Sequence, residues 1–210
     1  MTAETSNDPP KRRIVVAITG ASGAIYGVRL LQMLSEIHDV ETHLILSRAG
    51  RLTLAKECQL SPKDIADFTD VVHAPSNIGA PISSGSFRMH GMIIAPCSIR
   101  TAACIATGMT DELTSRAADV MLKERRRLVI AIRETPLHQG HLETLTKLAA
   151  LGAIIFPPVP SFYHEPKTIG AIVDQTCMRI LDQLDVGVEA APRWGEAGGI
   201  EAVGENDGSH

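Results

Sequence analysis

The sequence predicts an α/β protein, a doubly wound, mostly parallel sheet between two layers of helices, and three observations carry that prediction. Short unbroken apolar runs recur along the chain, as expected of strands covered on both faces. Each is followed by a segment whose apolar residues return every three or four positions, as on one face of a helix. At 210 residues the chain supplies one sizeable core, so we read a single domain over residues 14–186.

Ile14 to Thr19 is the first buried run, and Gly20-Ala21-Ser22-Gly23 turns the chain into a helix over 25–37, marked by Val28, Leu31, Leu34 and Ile37. Val40 to Leu46 returns as the second strand. A helix is expected from Arg48 to Glu57, then an irregular stretch through Ser61, Pro62 and Ile65, and a short strand at Val71 to His73. Residues 74–87, APSNIGAPISSGSF, are nearly all turn formers and read as a long loop. Gly91 to Pro96 is the next strand, followed by helices over 99–107 and 112–125, a strand at Leu128 to Ile132, a helix over 138–150 and a strand at Ala153 to Phe156. After the stiff Pro157-Pro158-Val159-Pro160, Ile169, Ile172, Val173, Ile180 and Leu184 mark a last helix over 168–184. The polar residues 1–13 are expected to be disordered, and the glycine- and acid-rich residues 187–210 to be mobile, with Trp194 as a residue that closes over a site.

A net charge of -4 with interspersed signs offers no general attraction to nucleic acid or to an anionic membrane, so an anionic ligand needs a local site. No apolar run is long enough to span a bilayer, since Pro96, Ser98 and Arg100 interrupt the best candidate, and a soluble, cytoplasmic protein is expected. Cys58, Cys97, Cys104 and Cys177 have neither paired nor zinc-finger spacing and read as free, largely buried thiols. His138 and His141 lack a third ligand at convincing spacing, so no metal is expected.

The turn Gly20-Ala21-Ser22-Gly23, between a buried strand and a helix, can bring amides and a hydroxyl onto a phosphate. It is neither a Walker loop nor a GxGxxG fingerprint, and the second strand ends at Ser47-Arg48 instead of an acid that would hold a ribose diol. That favours a mononucleotide over a dinucleotide. Ser47 is either a polar contact or a helix cap. Pro96-Cys97-Ser98-Ile99-Arg100-Thr101 repeats the arrangement, with Ser98 either a cap or, together with Arg100, a phosphate ligand. Arg116 and Lys123, seven residues apart, share one helix face. Arg133 and Glu134 follow a strand at the edge where catalytic groups gather, as an ion pair or as a proton-transfer site.

Taken in order, GASGA, SGSF, PCSIRT, SRAADVMLKERRRL, RETPLHQGH and FPPVPSFYH make this chain similar to the flavin prenyltransferases, the UbiX/Pad1-type enzymes, from about Ile14 to Leu184. The resemblance implies a Rossmann-like or flavodoxin-like core within the flavoprotein decarboxylase superfamily, with FMN bound between subunits. It implies transfer of dimethylallyl from dimethylallyl monophosphate to N5 and C6 of reduced FMN, without a metal. The product, prenylated FMN, passes to a UbiD-type decarboxylase, and a homododecamer is expected.

Carried onto this sequence, the resemblance puts Gly20, Ala21, Ser22, Ser47, Ser98, Arg100, Thr101, Arg116 and Arg133 around the flavin. Lys123, Tyr163, Arg179 and Trp194 fall at the prenyl phosphate, while Glu134, Lys123 and Glu57 are the catalytic set. Two other readings share the fold: an FMN-dependent decarboxylase of cysteine-type substrates, and a non-catalytic flavin carrier subunit.

Overall fold

The structure is a computed structural model that describes residues 11–187; the expectations for residues 1–10, for 188–210 and for Trp194 lie outside the described residues. Among those described, the strands are β1 (Arg12–Ile18), β2 (Val40–Leu46), β3 (Val71–His73), β4 (Gly91–Cys97), β5 (Arg127–Ile132) and β6 (Ile154–Ile155). The helices are α1 (Ala24–Ser35), α2 (Arg48–Thr53), α3 (Pro62–Ala66), α4 (Ile99–Thr107), α5 (Leu113–Lys123), α6 (Gln139–Ala150) and α7 (Ile169–Asp182). All strand pairs are parallel, in the order β3-β2-β1-β4-β5-β6. This is the Rossmann-type order, which settles the choice left open between the two related cores.

The unbroken apolar runs have a direct cause. Ile14, Val16 and Ile18 of β1 pack with Val28 and Leu31 of α1 and Ile180 and Leu181 of α7, whereas Val15 and Ala17 face Ala102 and Ile105 of α4, Val120 of α5 and Leu148 of α6. Each face needs its own apolar residues, so no strand alternates with polar ones. Gly27 lets α1 lie against the sheet: a Cβ there would stand 2.5 Å from the Ala95 carbonyl oxygen and from Ile18.

Three segments depart from the sequence reading. β1 begins at Arg12, inside the stretch expected to be disordered, because the Arg12 and Arg13 backbones pair with Val40 and Glu41 while their side chains bind Asp39 and Glu41. The helix expected to reach Glu57 changes at Leu54 into one wide turn, Leu54–Cys58, closed by Gln59 at a φ of 55°. Ser61 to Ala66 is an ordered helix start, with Asp64 reaching back to the Ser61 backbone N–H at 2.6 Å.

The loop 74–87 is packed down: Ala80 and Ile82 are buried, and the Arg126 guanidinium donates to the carbonyls of Gly85 and Phe87 at 2.7 and 2.9 Å. Phe87 covers His43 edge-on, with the Arg13 guanidinium 4.5 Å from its ring centre. Beneath it, His43 Nδ1 lies 2.9 Å from His73 Nε2, and His43 Nε2 lies 2.9 Å from a Glu41 carboxylate oxygen.

Burial pushes the pKa of both histidines down, against the Glu41 carboxylate in the case of His43. The unfolded chain therefore takes up these protons first as the pH drops below about 6.5, and the stability they contribute is present above that value and lost below it. The melting temperature is expected to fall between about pH 7.5 and 5.5, and less steeply in a His73→Gln protein. Equal slopes in the two proteins would exclude this pair as the cause.

Candidate active site

β1 and β4 lie side by side, but the chain leaves β1 towards β2 and leaves β4 towards β5, so the loops after them diverge and open a crevice. Thr19 closes its floor. Its hydroxyl donates to the Pro96 carbonyl at 2.7 Å and accepts from the Ser98 N–H at 2.8 Å.

Above this floor is a cavity of about 230 Å³. Thr19 and Gly20 line it from β1, Ser47, Arg48 and Ala49 from β2 and α2, and Ser98, Arg100, Thr101 and Cys104 from β4 and α4. Asp111, Glu112, Thr114 and Ser115 complete it from the start of α5. Gly20 is required by contact, since a Cβ there would lie 2.3 Å from Ala49 Cβ.

Ser47 and Ser98 are both helix caps: Ser47 Oγ accepts from the Gly50 N–H at 2.9 Å and Ser98 Oγ from the Thr101 N–H at 3.3 Å. They also line the cavity, so capping does not take either side chain away from it. The N-termini of α4 and α5 both open here, and Arg48 and Arg100 add positive charge against Asp111 and Glu112. Thr114 Oγ1 is buried without a hydrogen-bond partner. The set of amides, hydroxyls and arginines suits a phosphate ester with polar groups attached.

The glycine turn itself behaves differently from the expectation. The amides of Gly23 and Ala24, which were to hold a phosphate, donate instead to one Glu57 carboxylate oxygen at 2.8 and 3.0 Å. The wide turn at 54–58 delivers that carboxylate to the N-terminus of α1. Partial burial opposes its ionisation, but hydrogen bonds from Gly23, Ser22 and Ala24 and the nearby Arg133 charge prevail and hold its pKa below the usual glutamate value. Ser22, Glu57 and Arg133 thus form a second polar cluster beside the cavity. Ala21 lines neither, because its side chain is buried behind the turn.

Arg133 and Glu134 follow β5 at the same sheet edge; the Arg133 N–H is tied to the Cys97 carbonyl at 3.0 Å, and Glu134 accepts from the Thr135 N–H. Arg116 lies one position past the cavity wall and binds Asp119 at 3.0 Å. Lys123 ends α5, eight residues and about 12 Å beyond Ser115, where its ammonium pairs with Glu124 near Gly85. Arg179 likewise lies near the far end of α7 and binds Asp182 at 2.7 Å. Tyr163 accepts a hydrogen bond from Gln175 on α7 at 3.5 Å. None of Lys123, Tyr163 and Arg179 lines this cavity: α5 and α7 carry Lys123 and Arg179 away from that edge, and Tyr163 lies in the segment between β6 and α7.

Thr19, Arg48, Cys104, Asp111, Glu112, Thr114 and Ser115 were missed. The signal for Ser115 was its place beside Arg116 in a polar helix start, and Thr19 was visible as a hydroxyl between strand and glycine. Burial pushes the Cys97 thiol far up, so it is a packing group and not a nucleophile. All four cysteines are free. Among the described residues no three His, Cys, Asp or Glu side chains gather as a metal site, and no helix is long and apolar enough to cross a membrane.

The family described as Flavoprotein matches residues 2–181. Flavin prenyltransferase UbiX of Salmonella typhimurium is 54% identical over 175 residues, 83% of this chain and 93% of that protein. The crystal structure of AnUbiX (PadA1) in complex with FMN and dimethylallyl pyrophosphate superposes with a TM-score of 0.86 at 46% identity, covering 89% of this chain and 99% of that one. A dodecameric FMN-dependent UbiX-like decarboxylase from Escherichia coli O157:H7 gives a TM-score of 0.85 at 46% identity, covering 87% and 98%.

Replacing either cap, Ser47→Ala or Ser98→Ala, is expected to cost about 1 kcal/mol of stability, read from the denaturant midpoint. A change within error would show that neither cap bond contributes.

Proposed function

The chain belongs to the flavin prenyltransferase family, and on that premise we propose that it joins the dimethylallyl group of dimethylallyl monophosphate to N5 and C6 of reduced FMN. Its product is then prenylated FMN, destined for a UbiD-type decarboxylase. The observation that carries this reading is the cavity at the β1–β4 crevice, where the N-termini of α4 and α5, six hydroxyl side chains and two arginines converge. The relative bound to FMN and dimethylallyl pyrophosphate supports an allylic phosphate as the second ligand.

Ser47, Ser98, Thr101 and the α4 amides hold the FMN phosphate, with Arg100 at the rim; the buried Thr114 hydroxyl and the close approach permitted by Gly20 fit a ligand with a polar tail. Reduced FMN, when bound, supplies the nucleophilic centres. Breaking an allylic carbon–oxygen bond leaves a delocalised cation and a phosphate dianion, so the chain must stabilise both signs. Glu57, held ionised by Gly23, Ala24 and Arg133, offers fixed negative charge to the cation. Lys123, Arg179 and Tyr163 serve the departing phosphate as cationic and phenolic donors. Glu134 would relay protons at ring closure, giving one to the prenyl double bond and taking back the one that the flavin ring loses, so that the step is proton-neutral. No step in this scheme needs a metal, since a monophosphate carries less charge to neutralise than a diphosphate.

Lys123 and Arg179 lie too far from the cavity of their own chain, so they act in the site of a neighbouring subunit. The dodecameric relative supports a homododecamer in which such sites form.

Anaerobic incubation with reduced FMN and dimethylallyl monophosphate is expected to raise the mass of the extracted flavin by one C5H8 unit. Unchanged FMN from a folded, flavin-loaded protein would return weight to the decarboxylase or carrier readings. A Glu134→Gln protein should bind FMN yet turn over at least about 100-fold more slowly. Mixing Lys123→Ala with Glu134→Gln subunits should restore part of the activity, whereas no recovery would place both residues in one chain's site.

A further inference from the structure

We propose that Thr19 is a positioning residue for the flavin phosphate: its hydroxyl sets the spacing between the glycine turn and the N-terminus of α4 before any ligand arrives. This role rests on the reading of the β1–β4 cavity as the flavin site.

The backbone pairing between β1 and β4 runs only from Ile14 and Gly91 to Ala17 and Ile94. Beyond it, Pro96 has no N–H to donate, and the β4–β5 register shifts between Ile94 and Cys97. The two strands would part here, at the point where Gly20 and Ser98 must face each other across the cavity. Thr19 bridges them three times: its N–H donates to the Pro96 carbonyl at 3.2 Å, its hydroxyl donates to the same oxygen at 2.7 Å, and the Ser98 N–H donates back at 2.8 Å.

Thr19 is 2% exposed, so water does not substitute for these bonds. Only a group that donates and accepts at one atom closes this bridge, which leaves serine and threonine and excludes the isosteric valine. The O–H is spent on the Pro96 carbonyl, so Thr19 has no hydrogen to offer a phosphate and acts on the ligand through Ser98 and α4. Ser98 in turn caps α4 at Thr101, and the bridge fixes the cap, the first turn and the Thr101 hydroxyl as one unit.

The test compares Thr19→Val with Thr19→Ser by FMN titration, turnover and thermal melting. Thr19→Val is expected to weaken FMN binding by about tenfold or more, to raise the KM for FMN, and to leave kcat at saturating FMN close to wild type, while Thr19→Ser binds within about threefold of wild type. A Thr19→Val protein that melts earlier but binds FMN as wild type does would reduce Thr19 to a stabilising residue and overturn the proposal. Should Thr19→Val not fold, amide exchange on the wild-type protein decides. Protection of the Ser98 N–H without FMN is expected, and protection that appears only on adding FMN would overturn pre-positioning. Wild-type protein with a protected Ser98 N–H and no affinity for FMN would show that the flavin assignment has failed, and the role of Thr19 towards flavin with it.

Discussion

A parallel sheet covered on both faces has no room for chemistry in its middle, and this constraint arranges everything else in the molecule. Beyond Arg12, Arg13 and Arg127 at their starts, the residues of β1, β4 and β5 are apolar and buried on both faces, so polar groups collect where strands end. Of the two edges, the carboxyl one receives the turns that lead into helix N-termini, with unpaired amides pointing outward. At the β1–β4 crevice those turns also diverge, which gives the space that a packed loop would otherwise fill. Gly20 and Gly27 keep that space usable, one by letting α2 approach the first turn and the other by letting α1 sit on the sheet.

Local signals made most elements legible. β2, β3 and α4 span the residues expected, and α5 and α6 differ from expectation only at their ends. The misses occur where a distant partner decides. Arg12 and Arg13 look like a polar leader, yet their backbones extend β1, and their charges sit at the sheet edge against Asp39 and Glu41. The turn-rich residues 74–87 read as a free loop, but Ile82 is an apolar anchor and Arg126, 39 residues beyond Phe87, ties the segment down. No window along the chain contains that tie.

The site divides in the same way. Ser47 and Ser98 were legible because a hydroxyl after a strand and before a helix has few alternatives, and the structure shows capping and cavity lining to be compatible uses of one side chain. Thr114 and Glu112 were not, because the start of α5 reaches the cavity only through the tertiary path of the chain; the Leu113 N–H is anchored on the Pro75 carbonyl at 2.8 Å. Lys123 shares a helix face with Arg116, as its spacing indicated, but that face runs about 10 Å in seven residues and carries the lysine away from the crevice. Sequence spacing reports direction along a helix, and it says nothing about what the far end of that helix meets.

The glycine turn holds the most instructive conflict. Its sequence promises a phosphate cradle, and physically it is an anion site, but the anion is the chain's own Glu57, 34 residues from Gly23. A tethered carboxylate needs no association step, so a phosphate entering from solution would have to displace a group that already satisfies two amides and answers Arg133. The N-terminus of α4 has no such internal anion: Ser98 caps it with a neutral hydroxyl, and Arg48 and Arg100 stand at the mouth. In the proposed function a ligand phosphate accordingly goes to α4, and the first turn keeps its ionised carboxylate. A negative charge held beside the cavity favours a developing cation, while the departing phosphate is left to separate cationic groups, which is the division of labour that the proposed allylic transfer requires.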